Sequence, residues 1–144
     1  MINMREGSVY QRIEIYAPHV ECYGKNESEG YNYLATLSEN TYWHPDYPFF
    51  PFIDAVVMCQ AFQSGDNHPE TIIAYIQVTI RNEKTFKPNR LLELNNTLDT
   101  NSNLKDFKRV FVVVGPDPMV CEIFTLHNAP DPTQFQTMVG CFVK

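Results

Sequence analysis

Three apolar runs constrain this chain more than any other feature: FIDAVVMCQAF at residues 52–62, TIIAYIQVTI at 71–80 and VFVVV at 110–114. A strand with one wet face alternates apolar and polar residues, whereas runs broken this rarely predict strands covered on both faces. The first run carries a single charge, Asp54, close behind Pro51. The second is interrupted by Gln77 and Thr79, two residues apart and so on one face of a strand. Gly115 and Pro116 stop the third.

Around these strands the remaining segments read less sharply. After Pro88, NRLLELNNTL sets Leu91, Leu92, Leu94 and Leu98 on an amphipathic face with Asn89 available as N-cap, which predicts a helix crossing back over the sheet. PTQFQTMVGCFV, opening on Pro132, predicts a terminal helix. Near the N-terminus SVYQRIEIYA reads equally as helix or strand up to Pro18, and HVECYG as a short strand. GKNESEG is expected as a polar turn and YNYLATL as a half-buried strand. SENTYWHPDYPFFP has no lasting period and is expected as an extended connection whose Trp43 and phenylalanines cover the core. MVCEIFTL reads as a short strand or helix, and HNAPDPT as a loop. This order fits an α/β fold, a three-layer sandwich with a central mixed sheet, in which residues 1–144 form a single domain.

A chain of 144 residues with 44% hydrophobic and 13% aromatic content can bury one sizeable core, which excludes disordered and fibrous classes. Its net charge of -6 repels nucleic acid, so such binding would need a local basic face or a metal ion. Arg81, Lys84, Lys87 and Arg90, with Lys105, Lys108 and Arg109, are the basic clusters; they read as solvated positions or, alternatively, as flanking a common cleft and touching phosphates. Cys22, Cys59, Cys121 and Cys141 form no C-x-x-C pair and are expected to be reduced and structural; the four histidines are isolated from one another, against a zinc site. There is no G-x-S-x-G elbow and no phosphate-cradling glycine motif. With no signal-like or membrane-spanning apolar stretch in it, an intracellular location is expected.

The succession HPDYPFFPFIDAVV, IQVT and RVFVVVGPDP resembles the C-terminal restriction-endonuclease-like domain of Crinkler effectors and retrotransposon hot spot proteins. Phe50-Pro51-Phe52-Ile53-Asp54 is similar to the stretch that leads one strand there, Gln77-Val78-Thr79 to the polar set of the next, and residues 111–116 to a late strand. The likeness covers residues 42–144 and leaves residues 1–41 unassigned. It implies a restriction-endonuclease-like fold with Mg2+ held by Asp54, the Gln77 side-chain carbonyl and the Val78 backbone oxygen. Thr79 stands at the position of the family's lysine, and Lys84 or Lys87, just past the strand, would serve as a migrated one. The helix glutamate expected upstream falls to Glu14, with Glu6 and Glu21 equally arguable.

Two functional expectations follow from the resemblance. One is a nuclease-derived domain acting on DNA or RNA, whose Mg2+-dependent phosphodiester cleavage is weakened or lost because a neutral amide and a hydroxyl replace a carboxylate and an ammonium. The other is a non-enzymatic protein- or nucleic-acid-binding module that keeps the fold and works in the nucleus. Read without the resemblance, Asp54 is a strand-edge acceptor for backbone N–H groups, and Gln77 and Thr79 are a polar patch in a strand.

Overall fold

The computed structural model describes residues 1–16, 19–65 and 68–143. In chain order they form β1 (Ile2–Met4), β2 (Arg12–Ile15), β3 (His19–Cys22), α1 (Glu27–Leu34), β4 (Thr41–His44), β5 (Ala55–Phe62), β6 (Glu70–Val78), β7 (Glu83–Thr85), α2 (Pro88–Asp99), β8 (Lys108–Gly115), α3 (Pro118–Ile123), β9 (Thr125–His127) and β10 (Thr137–Phe142). Pro18, expected to end the first element, lies outside the described residues.

The apolar runs form β5, β6 and β8, side by side in the order β8-β6-β5. β5 and β6 are antiparallel, and β6 and β8 are parallel across the α2 crossover, so the sheet is mixed as expected. Each of these strands is covered on both faces. Ala55, Val57, Cys59 and Ala61 of β5, Ile72, Ala74 and Ile76 of β6, and Val110, Val112 and Val114 of β8 share one buried cluster with Ile2, Tyr10, Ile13 and Met138. Their alternate neighbours Val56, Met58, Ile73, Tyr75, Phe111 and Val113 belong to a second cluster on the opposite face.

The sheet does not lie open between two helical layers, as a three-layer sandwich would require. Among the described residues it runs β2-β1-β10-β8-β6-β5, and β2 then pairs with β5, closing a six-strand barrel. Closure depends on β5, whose free edge is shared: Val56 and Val57 pair with β4, and residues 59–62 pair with β2. A barrel of few strands has a narrow interior. Ala55, Ala61, Ala74 and Cys59 supply the small side chains that fit there. Leu34 of α1, Leu91, Leu94 and Leu98 of α2 and Cys121 of α3 all belong to the outer cluster, so the helices cover one face and the barrel's own strands close the other.

Several local expectations are corrected. YNYLATL is not a strand: its first half completes α1, for which Asn26 is the N-cap, accepting the Glu29 N–H at 2.9 Å while Glu29 accepts the Lys25 N–H at 2.8 Å. That reciprocal pair outweighs the alternation of tyrosines, and GKNESEG therefore supplies the helix start. α2 forms where expected, but Pro88 occupies its first turn and Lys87, not Asn89, is the N-cap. The terminal helix is instead strand β10, parallel to β8 and antiparallel to β1. A Cβ on Gly140 would stand 2.6 Å from the Asn3 carbonyl oxygen, so the close approach of β1 requires glycine there. SVYQRIEIYA resolves to strand β2, and MVCEIFTL to α3 followed by β9. Among the described residues no helix is long and apolar enough to cross a membrane.

Candidate functional site

Asp54 sits just ahead of β5, exposed, after a backbone turn that places Phe52 in the left-handed region at φ 77°. Such a conformation costs a non-glycine residue on the order of 1 kcal/mol. The Phe52 ring offsets it by stacking on Phe111 at 4.7 Å and meeting Phe86 edge-on at 5.1 Å. Held this way, Asp54 donates its N–H to the Ile76 carbonyl at 2.7 Å and accepts the Val78 N–H on Oδ2 at 2.7 Å. Because Ala55 pairs with Ile76, Asp54 and Gln77 stand opposite one another one step beyond that pair. The two residues that carry the resemblance are thus brought together at one end of β5 and β6.

The others are distributed differently. Thr79 lies past the end of β6 and is buried; its N–H reaches the Val114 carbonyl at 3.0 Å and its Oγ1 accepts the Arg81 N–H at 3.0 Å, so it seals a turn. Val78 meets Asp54 through its N–H, not through the oxygen of the implied ligand set. Lys84 is half-buried on β7, and Lys87 caps α2. Glu14 is on strand β2 opposite Gln60, six residues along β5 from Asp54 and so about 20 Å away. Glu21 is on β3, and Glu6 is in the connection after β1, so none of these three glutamates stands on a helix. The helix preceding β5 is α1; its Glu27 is paired with Arg90 at 2.9 Å, and its Glu29 is used in the cap. Tyr42 is a neighbour of Asp54 that sequence reasoning did not single out. Burial pushes its hydroxyl above the usual tyrosine range, and the Asp54 carboxylate adds to the rise.

Mg2+ requires an octahedral set of hard oxygens and sheds water reluctantly, so a resident ion is held by carboxylates. Asp54 supplies one, whose Oδ2 also accepts the Val78 N–H, and Gln77 adds only a neutral amide. Among the described residues no three His, Cys, Asp or Glu side chains converge as a metal-holding group. The donor set does not fit a tightly held divalent ion.

A larger concavity lies beyond the end of β6. It has a volume of about 670 Å3, and its lining includes Ile80, Arg81, Glu83 and Lys84 together with Val120, Ile123 and His127. The parallel pair β7–β9 forms its frame, held by the Thr125 N–H to the Asn82 carbonyl at 3.0 Å and the Phe86 N–H to the His127 carbonyl at 2.7 Å. Buried Phe86 pins this frame to the outer cluster. Arg81 and Lys84 make no ion pair among the described residues, while His127 approaches Glu83 at 3.7 Å. Ile80 is 86% exposed and Ile123 61% exposed. Two cations against the one carboxylate of Glu83 leave this lining net positive between exposed aliphatic side chains, which can hold a ligand that is both acidic and apolar.

No protein family, curated protein or solved structure matches this chain.

Proposed function

We propose that this chain is a nuclease-derived domain of the kind found in Crinkler effectors and retrotransposon hot spot proteins, in which metal-dependent cleavage has been weakened or lost and the fold serves as a non-enzymatic binding module. The observation that carries the proposal is the cleft of Arg81, Lys84, Ile80 and Ile123. Its partner is an acidic protein segment bearing apolar anchors. The overall charge of -6 disfavours the approach of a long polyanion, whereas a short acidic segment meets the local cations and covers both isoleucines. The use of Asp54 as a main-chain acceptor supports the loss of cleavage. The mixed order β5-β6-β8 with α2 as crossover is the part of the sheet that supports descent from a restriction-endonuclease-like fold, while closure of the barrel by β2 and β5 departs from the open sandwich the resemblance implies. On this reading the module works inside the cell, in the nucleus.

Fluorescence anisotropy with a labelled peptide of alternating Glu and Leu, compared with single-stranded DNA and RNA oligonucleotides, tests the proposal. The peptide is expected to bind, and Arg81→Glu with Lys84→Glu to weaken it by about tenfold or more. Binding of the oligonucleotides but not the peptide, or a charge reversal without effect, overturns it. A second reading, residual Mg2+- or Mn2+-dependent cleavage of DNA or RNA with Lys84 as migrated lysine, draws support from the apposition of Asp54 and Gln77.

A further inference from the structure

We propose that Cys121 and Cys141 are a dithiol pair that closes to a disulfide in the presence of a small-molecule disulfide oxidant, tying α3 to β10. The two residues lie twenty positions apart, on different elements, yet line one cavity of about 280 Å3 with Arg5, Met4 and Pro118. The Cys121 thiol donates to the carbonyl of Gly140, the residue immediately before Cys141, at 2.8 Å. Gly115 makes this approach possible. It is the β8 residue in register with Cys141, and a Cβ on it would stand 2.9 Å from the Cys121 sulfur. The missing side chain on β8 is the space in which the α3 thiol reaches the β10 strand.

Burial pushes the Cys121 thiol up; a Gly115 backbone hydrogen bond opposes this, and the neighbouring Cys141 thiol adds to the rise. Two buried apolar cysteines that merely filled space would not need to share a cavity mouth. These are 4% and 8% exposed, and the cavity gives a small reagent a route to both. Cys59 faces the barrel interior, and Cys22 is exposed on β3, on a different element from the pair.

The exchange balances without any group beyond the oxidant. One thiol loses its proton and attacks the small disulfide, forming a mixed disulfide and releasing one small thiolate. The second thiol loses its proton and attacks the protein sulfur of that mixed disulfide, forming the Cys121–Cys141 bond and releasing the other small thiolate. Two protein S–H bonds and one small S–S bond are exchanged for one protein S–S bond and two small thiols; the pair is oxidised by two electrons and the reagent reduced by two.

α3 also supplies Val120 and Ile123 to the cleft beyond β6, so the bond would fix one wall of that cleft. The chemistry itself does not depend on what the cleft binds. Reduced protein is incubated with oxidised glutathione, and its free thiols are then counted and its peptides mapped without reduction. Two of the four thiols are expected to disappear, with a Cys121–Cys141 peptide, the intact mass lower by two hydrogens and Tm raised by roughly 5–10 °C. Cys22→Ser is expected to leave this unchanged. Retention of both thiols, or glutathione held stably on Cys121 or Cys141 without ring closure, overturns the proposal; because the mapping uses the wild-type chain, it does not depend on any cysteine variant folding.

Discussion

The carboxylate of Asp54 accepts the main-chain N–H of Val78 at 2.7 Å, while the Asp54 N–H donates to Ile76, two residues earlier on the same strand. One residue therefore closes the ladder at the end of β6, with Gln77 between its two partners. The carboxylate thus has a main-chain partner, and its Oδ2 is the atom that holds the end of β6.

Asp54→Ala removes the acceptor and leaves the Val78 N–H to solvent. Because the site is exposed, the expected loss is about 1 kcal/mol in urea unfolding. Asp54→Asn keeps an oxygen in the same place and is expected to recover most of that loss. Equal destabilisation by both variants would show that charge, not the hydrogen bond, is what matters.

Asn101, 1% exposed, joins two helical elements: its Nδ2 donates to the carbonyls of Leu34 at 2.8 Å and Leu37 at 3.0 Å, and its Oδ1 accepts the Asn103 N–H at 2.9 Å. Asn101→Ala leaves the end of α1 unsatisfied in the core. The expected cost is about 2–4 kcal/mol, read by denaturant unfolding, and Asn101→Asp is expected to be no better because it cannot donate.

The strands β5, β6 and β8 were legible because their runs are long and β-branched or apolar throughout, and α2 because its leucines recur at helical spacing. The barrel was not. It depends on the pairings of β1 with β10 and of β2 with β5, in which β1, β2 and β10 are strands of three to six residues whose own periods are too short to read. Of the site, the meeting of Asp54 and Gln77 was legible because two adjacent strands fix a register. The cleft was not, since β7 and β9 are three residues each and find one another across the chain. The Asn26 to Glu29 spacing was a signal for α1 that the tyrosine alternation masked.

Barrel closure gives a contrast between two glycines. On Gly140 a Cβ meets the Asn3 carbonyl oxygen of β1, which is main chain and cannot move without opening the barrel; on Gly115 it meets the Cys121 sulfur at the end of a short side chain. Gly140→Ala is therefore expected to be the more destabilising, by about 2 kcal/mol or more in Tm-derived stability, and Gly115→Ala the less. The reverse order would mean that β1 is not held against β10 in solution.

Burial pushes the Cys59 thiol from its ordinary 9.0 up to about 12. The folded chain thus keeps a proton that the unfolded chain releases above about 9. The contribution is fully present below pH 9 and is lost as pH rises towards 12. Tyr10, raised by burial and by its hydrogen bond to Glu70, acts in the same direction. Unfolding free energy is expected to fall between pH 9 and 11, and Cys59→Ala to flatten that fall. A pH-independent stability over this range would contradict the placement of Cys59 inside the barrel.

Incubation of wild-type protein and Asp54→Asn with single- and double-stranded DNA and RNA, in Mg2+ and separately in Mn2+, tests the central claim most directly. Neither protein is expected to cleave any substrate above the buffer control. Metal-dependent cleavage by the wild type that Asp54→Asn abolishes, with circular dichroism unchanged, would contradict a binding module in which Asp54 serves the strand and not an ion.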